Sequence, residues 1–246
     1  SESTMSTYLR ILLLYFVTTI AALATSPAFE QGIESYQNNE YDSAQAQFTS
    51  AIEDDETAAA QHNLALTYLQ LGSPALAIWH LERAQLLAPL NADYRFKLEA
   101  VRQQIGLFAG APKWYTLASQ SLPTNVWLII ASISIWLFLL LWMLPSITGI
   151  KPSIKIKSLR FLTLIALLLA LPSAWLNLRM IEAGTVIANE SVSLHAAPAS
   201  AAPESGIARA GERARIIDTY KHFYEVETEG LATGWISKDV FRPFVD

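Results

Sequence analysis

The chain has 246 residues, 52% of them apolar and only 16% charged, with a mean hydropathy of +0.28 and a net charge of −5. Charged residues make up roughly 25% of ordinary soluble domains, and here the deficit is concentrated: no charge lies between Trp114 and Ile150, or between Phe161 and Leu178. That pattern excludes a simple soluble protein, a disordered acidic chain and a basic nucleic-acid binder, while the absence of cysteine excludes disulfides, thiolate catalysis and cysteine-ligated metals.

Charge alternates in blocks along the chain. Residues 29–110 carry four bases against eleven acids, residues 145–160 carry Lys151, Lys155, Lys157 and Arg160 with no acid, and residues 179–246 carry seven bases against ten acids. Acidic modules separated by apolar runs and one short basic segment predict a membrane protein with soluble parts on one side. Met5 reads as the native start, with residues 1–4 as an added remnant. Arg10 is followed by fourteen uncharged residues, Ile11 to Ala24, too short to span about 30 Å of hydrocarbon comfortably but suited to the core of a signal peptide. Residues 1–28 are therefore expected to direct export, with cleavage after Ala24 or Ala28. An uncleaved anchor extended by Thr25 to Phe29 is the alternative.

Residues 29–106 carry an internal repeat. At an offset of 33, Gly32 aligns with Ala65, Ala44 with Ala77, Phe48 with Leu81 and Ala51 with Ala84. The small residues let the two helices of a pair approach, and Phe48 and Leu81 fill the space between pairs. The spacing and pattern resemble the tetratricopeptide repeat, a helix pair of about 34 residues. The copies cover about 28–56 and 57–90; the first departs from the pattern with Asn39 and Glu56 where Gly and Pro are usual. Asn91 then reads as the N-cap of a capping helix over 92–104. First helices usually line the concave face, so Phe29, Ile33, Tyr36, His62, Asn63, Leu66 and Gln70 are the candidate protein-binding residues. Packing of several of them within the same domain is the competing reading. The face has no lysine or arginine, which favours a partner helix or an extended apolar segment.

A linker over 107–125 leads to two expected transmembrane helices. Residues 126–144 span about 28 Å as a helix and are expected to stop at Pro145, and residues 161–178 form the second span. Neither span holds an ionisable residue, against a transporter or channel. The segment 145–160 is read as a basic loop on the cytoplasmic side by the positive-inside rule, which puts both soluble modules in the periplasm or outside the cell. Beyond Gly184 the signals become short strands: Thr185–Asn189, Ser191–His195, Ala214–Tyr220, Phe223–Thr228 and Thr233–Ile236, with Ala196–Gly206 as a loop and Glu229-Gly230 as a hairpin turn. Five or six strands in residues 183–246 predict a small barrel. Val192-Ser193-Leu194-His195-Ala196-Ala197-Pro198, Arg209-Ala210-Gly211-Glu212 and Thr233-Gly234-Trp235-Ile236 resemble a bacterial SH3-like domain, with Gly234 at a close strand turn and Trp235 anchoring the barrel. His195 and Tyr224 depart from that pattern. Tyr220, Phe223, Tyr224 and Trp235 are candidates for a peptide or cell-wall surface, or else core and scattered surface aromatics.

Chemistry is sparse. His62, His80, His195 and His222 lack the carboxylate spacing of a metal site, and Glu53-Asp54-Asp55-Glu56 lacks the alternation of a calcium loop. No G-x-S-x-G, Walker or H-E-x-x-H motif occurs, so no catalytic, cofactor or metal site is expected and the chain does not read as an enzyme. The fold class expected is thus a multi-domain membrane protein: tetratricopeptide repeats, two transmembrane helices and a C-terminal all-β SH3-like barrel. That order of parts, with Asn63-Leu64-Ala65-Leu66-Thr67-Tyr68, Leu81-Glu82-Arg83-Ala84 ending in Pro89, and Gly234-Trp235-Ile236, resembles the BatE-type proteins of bacterial aerotolerance (Bat) operons. The resemblance implies an inner-membrane scaffold working beside von Willebrand factor A-domain membrane proteins and a MoxR-type ATPase. A cell-envelope sensor that binds peptidoglycan or peptide through the β module is the alternative function.

Overall fold

The structure is a computed structural model that describes residues 26–108, 114–149 and 153–245. Residues 1–25 of the expected 1–28 export segment, and Lys151 of the basic segment, lie outside them, while Pro27 and Ala28 open the first helix.

Five helices come first: α1 (Pro27–Gln37), α2 (Tyr41–Asp54), α3 (Ala58–Gln70), α4 (Pro74–Leu87) and α5 (Ala92–Gln104), each packed on the next. Proline opens α1 and α4, where its missing N–H has no partner to lose. Thr57 accepts from the Ala60 amide to cap α3, and Asn91 from the Asp93 amide to cap α5, whose range is the one the cap predicted. The two pairs turn alike: Asn39 at φ 63° and Gly72 at φ 73° stand 33 positions apart, both left-handed, a conformation Asn tolerates at less cost than most residues. Every pair of aligned positions is buried, with Ala44, Ala77, Phe48, Leu81, Ala65 and Ala84 all at 0% exposure. Gly32 is where α1 meets α2, since a Cβ there would stand 2.6 Å from Cε1 of Phe48. We predict that Gly32→Ala, despite its better helix propensity, destabilises the chain by about 1–3 kcal/mol through overpacking. A lowered thermal midpoint of the purified protein is the expected reading; an unchanged or raised one would show that the ring can yield.

Two long apolar helices follow a short one, α6 (Trp114–Gln120): α7 (Thr124–Thr148) and α8 (Ile154–Ile181). The 107–125 segment is thus part helix rather than a plain linker. Both α7 and α8 are long and apolar enough to cross a membrane, and only 17% and 22% of their most apolar windows are buried, unlike core helices of a soluble protein. They pack on each other, and their buried residues, Ala131, Ser134 and Leu141 of α7 and Thr163, Ala170 and Ala174 of α8, recur at three-, four- and seven-residue spacings. Small residues at such a seam allow close approach where no hydrophobic drive separates protein from lipid.

Two expectations are corrected here. Pro145 does not stop α7, which continues to Thr148 and ends on Gly149 at φ 67°. Proline removes the amide that would bond to the carbonyl four residues back, and that carbonyl, Leu141 O, instead accepts from Nε of Arg160 at 2.9 Å and from its Nη2. A neighbouring helix has re-satisfied the freed group. Likewise, the described residues of the 145–160 segment are largely helical: Lys155, Lys157 and Arg160 ride on the first turns of α8. These three charges extend the helix instead of lying in a loop.

The chain passes from α8 through Glu182 into one antiparallel sheet: β1 (Ala183–Val186), β2 (Val192–His195), β3 (Glu204–Ala208), β4 (Arg213–Tyr220), β5 (Phe223–Thr228), β6 (Thr233–Ser237) and β7 (Phe241–Pro243), in the order β3-β2-β6-β5-β4-β1-β7. Val186, Leu194, Ala208, Ala214, Val226, Ile236 and Phe241, one from each strand, share a single buried cluster. Strands lie about 4.8 Å apart, so in a flat sheet β5 and β7 would be separated by about 14 Å. The Tyr224 and Phe241 rings nevertheless meet at 5.7 Å. The sheet therefore curls around its core, helped by a bulge in β4 between Ile216 and Asp218. Strands β3 and β7 were not anticipated. β3 takes the end of the expected Ala196–Gly206 loop, and β7 lies at the sheet edge, where Pro243 needs no ladder partner.

Candidate functional site

The seven candidates on the first helices divide by what holds them. Phe29, Ile33 and Tyr36 pack against the Ala44–Phe48–Leu64 cluster, and the Phe29 and Phe48 rings lie 5.7 Å apart. Asn63 donates to Ala59 O within its own helix, and the His62 ring lies against Tyr94 of α5, tilted by 33° with ring centroids 4.9 Å apart. Burial, then the nearby Lys97, lowers the His62 pKa, opposed by Asp93. Leu66 is half-buried, and Gln70 is exposed with a long hydrogen bond to the Tyr36 hydroxyl. The open part of this face is therefore Leu66, Gln70 and the Tyr36 edge.

On the β module the ladder register sorts the aromatics. Tyr220 pairs with Phe223 and Trp235 with Glu225, all on the outer face, where the Tyr220 and Trp235 rings meet edge-on at 6.5 Å. Tyr224 falls on the other face, against the core. Trp235 is half-exposed and does not anchor the barrel; its neighbour Ile236 is the core residue. Gly234 lies within β6 rather than at a turn, where a Cβ would run into Ser205 Oγ and the His195 carbonyl.

What sequence reasoning missed is that the helical and β modules are joined. Trp79 of α4 is buried with Ala183 and Phe244, its indole N–H reaches Arg242 O at 3.1 Å and Pro243 O at 3.0 Å, and the Arg242 guanidinium lies 4.1 Å over the ring. Gly211, left-handed at φ 73°, fits because a Cβ there would come within 2.7 Å of Ile78. Arg83 bridges the modules, binding both Glu56 oxygens at 2.6 Å and donating to Phe244 O. Glu56 also accepts from the Gln61 amide, which turns Gln61 Oε1 toward His80 Nδ1 at 2.6 Å. That acceptor assigns the His80 proton to Nδ1, and Nε2 is left buried without a partner.

Protonating Nε2 would create a buried donor with nothing to receive it. Burial, reinforced by Arg242, accordingly pushes the His80 pKa down to about 3. The folded group stays neutral while the unfolded one takes a proton below about 6.5, so stability is lost as pH falls through the window from about 6.5 toward 3, by about 1.4 kcal/mol per pH unit. The Arg83 hydrogen bond holds Glu56 below the usual carboxylate range, which adds acid sensitivity of the same sign at lower pH. Thermal midpoints measured from pH 7 to pH 4 should fall steadily, and His80→Asn should flatten the upper part of that slope. A wild-type midpoint that does not move between pH 7 and pH 5 would contradict this assignment.

A second set of charges lies at the junction of the helical module, the antiparallel pair α7 and α8 (the helical hairpin) and the sheet. Glu82 of α4, with 5% of its side chain exposed, accepts from Arg102 of α5 at 2.6 Å and faces Arg213 of β4 at 3.6 Å, while Glu229 reaches Arg102 at 3.7 Å. Burial raises the Glu229 pKa, with Arg102 opposing. Beside these charges α6, α7 and α8 are tied to one another: Asn177 of α8 donates to Ser119 O at 2.9 Å and Leu122 O at 3.1 Å, and the Trp127 indole of α7 donates to Ser119 O at 2.8 Å. Between these elements lies a cavity of about 400 Å³, lined by Leu86, Leu87 and Arg95 beside Arg102, Leu122 and Asn177. Its one sequence signal was in α4, whose buried Ala75, Ala77, Ile78, Trp79, Leu81 and Glu82 run right round the helix rather than along one stripe.

Among the described residues no group of three or more His, Asp or Glu could hold a metal ion. Compared with models of known families, with curated proteins and with solved structures, the chain finds no match.

Proposed function

We propose that this is a membrane-anchored scaffold of the BatE type, in which the hairpin fixes a combined helical and β unit on the outer side of a bacterial inner membrane. The observation that carries the reading is the mutual docking of the modules. The β module engages the repeat through Trp79, Glu82 and Arg83 of α4 and Arg102 of α5, the hairpin abuts the same region, and the Leu66–Gln70 part of the first-helix face is left uncovered. Such a face suits an apolar segment of a von Willebrand factor A-domain membrane protein, the partner class the resemblance implies. Co-purification in mild detergent from cells expressing both proteins tests it. Leu66→Glu with Gln70→Glu should lower partner recovery about tenfold, equivalent to about 1.4 kcal/mol, at unchanged expression; undiminished recovery would reject the scaffold. The peptidoglycan-sensor reading draws on one arrangement, the outer-face trio Tyr220, Phe223 and Trp235 beside Asp218 and Glu225. Retention of the full chain on purified cell wall, lost with Trp235→Ala, would favour it instead.

A further inference from the structure

The junction cavity is built as a site rather than a packing gap. Two of its lining side chains are at least nine-tenths buried and have polar atoms with no partner: Nε of Arg102, at 9% exposure, lacks an acceptor, and Oδ1 of Asn177, at 8% exposure, lacks a donor. Buried polar groups are nearly always satisfied, so both point to something bound. Four arginines, Arg83, Arg95, Arg102 and Arg213, line the cavity against three carboxylates, Glu82, Glu99 and Glu229; Glu82 is flanked by Arg102 and Arg213, Glu229 lies by Arg102, and the Arg95 guanidinium has no ion-pair partner among the described residues. Leu86, Leu87 and Leu122 supply apolar wall. The cavity also reaches Pro123 and Thr124, where α7 begins, and Asn177 near the end of α8. If these helices cross a bilayer, that is headgroup depth.

We infer that the cavity takes the headgroup of one anionic phospholipid, its phosphate facing Arg95 and Arg102 and a headgroup hydroxyl facing Asn177 Oδ1. A phosphodiester supplies the acceptor that Arg102 Nε lacks and a counter-charge for Arg95, the hydroxyl supplies the donor that Asn177 lacks, and the leucines receive the start of the acyl chains. This assignment rests on the membrane placement of α7 and α8 and is independent of any protein partner.

The test is native mass spectrometry of the full chain in detergent micelles supplied with phosphatidylglycerol, phosphatidylcholine or glycerol 3-phosphate alone. Phosphatidylglycerol should stay bound at least about tenfold more than phosphatidylcholine, which brings a phosphate but no hydroxyl and no net charge. Arg95→Gln should lower retention about fivefold, the worth of one interfacial arginine, and Leu87→Trp, which fills the cavity without touching the Glu82 ion pairs, should abolish the preference. Thermal midpoints within a degree or so of wild type would show that both variants are folded. Equal retention of the two lipids, or full retention in the folded variants, would overturn the proposal, as would displacement of the lipid by glycerol 3-phosphate at matched concentration, which would identify a soluble phosphate ester instead. Release of the wild-type chain from membranes by alkaline carbonate would refute the membrane placement itself, a result distinct from loss of lipid preference.

Discussion

Trp79→Ala should loosen the helical and β modules together while leaving the hairpin intact. The indole is 6% exposed, packs on Ala183 and Phe244, is bonded to two backbone carbonyls of β7 and is covered by Arg242. Truncating a buried aromatic of this kind costs about 3–5 kcal/mol, and here the loss falls on contacts between modules rather than within one. Hydrogen exchange should therefore accelerate at the Phe244 amide, which bonds to Ala183 O, and in α4, with α7 and α8 unaffected. Trp79→Phe separates the two contributions: it keeps most of the buried area and gives up the indole hydrogen bonds, for about 1 kcal/mol. Unchanged exchange in β1 and β7 of the alanine variant would mean that the sheet holds its place without the helical module.

Arg102→Met should be as damaging by a different route. Glu82 is nearly fully buried, and without Arg102 it keeps Arg213, at 3.6 Å, as its nearest cation. Removing the closer partner leaves the buried charge with one longer ion pair in place of two, and losses from breaking such pairs reach about 3–5 kcal/mol, whereas replacing both partners by apolar residues of similar size is far milder. The double variant Arg102→Met with Glu82→Met should thus be more stable than the sum of the single losses implies, by a coupling of about 0.5–3 kcal/mol. Thermal unfolding of the four proteins in one detergent reads this directly. A single-variant loss below about 1 kcal/mol would show that water reaches the pair and screens it.

How much of this was legible in the sequence follows the range of the interactions. The helix pairs were, because their packing is local and repeated: a residue such as Gly32 or Phe48 has its counterpart 33 positions on, and each is buried for the reason the alignment suggests. The cap at Asn91 and the two apolar helices were legible for the same reason, each being specified by residues within a few turns. What depends on distant partners was not. Pro145 reads as a stop until Arg160 is seen to take the carbonyl it strands, and β7 reads as a tail until it pairs with β1. The joint between modules is the extreme case, since Trp79 and Pro243 are 164 positions apart and neither signals the other. Of the candidate surface residues, the sequence could place Tyr220 and Trp235 near strand ends, but only the register puts them on one face and sends Tyr224 to the other.

In the proposed arrangement both folded modules form one unit at one end of the α7–α8 hairpin and lie together outside the cytosol. Because the chain has no cysteine, single cysteines can be introduced at Gln70 of the helical module, Leu231 of the β module and Ser158 near the basic end of α8, and intact cells exposed to a membrane-impermeant thiol reagent. Gln70→Cys and Leu231→Cys should both react in intact cells, and Ser158→Cys only after the membrane is opened. Reaction at one of the two modules without the other would contradict the account, because units bonded through Trp79 and Arg83 cannot lie on opposite sides of a membrane.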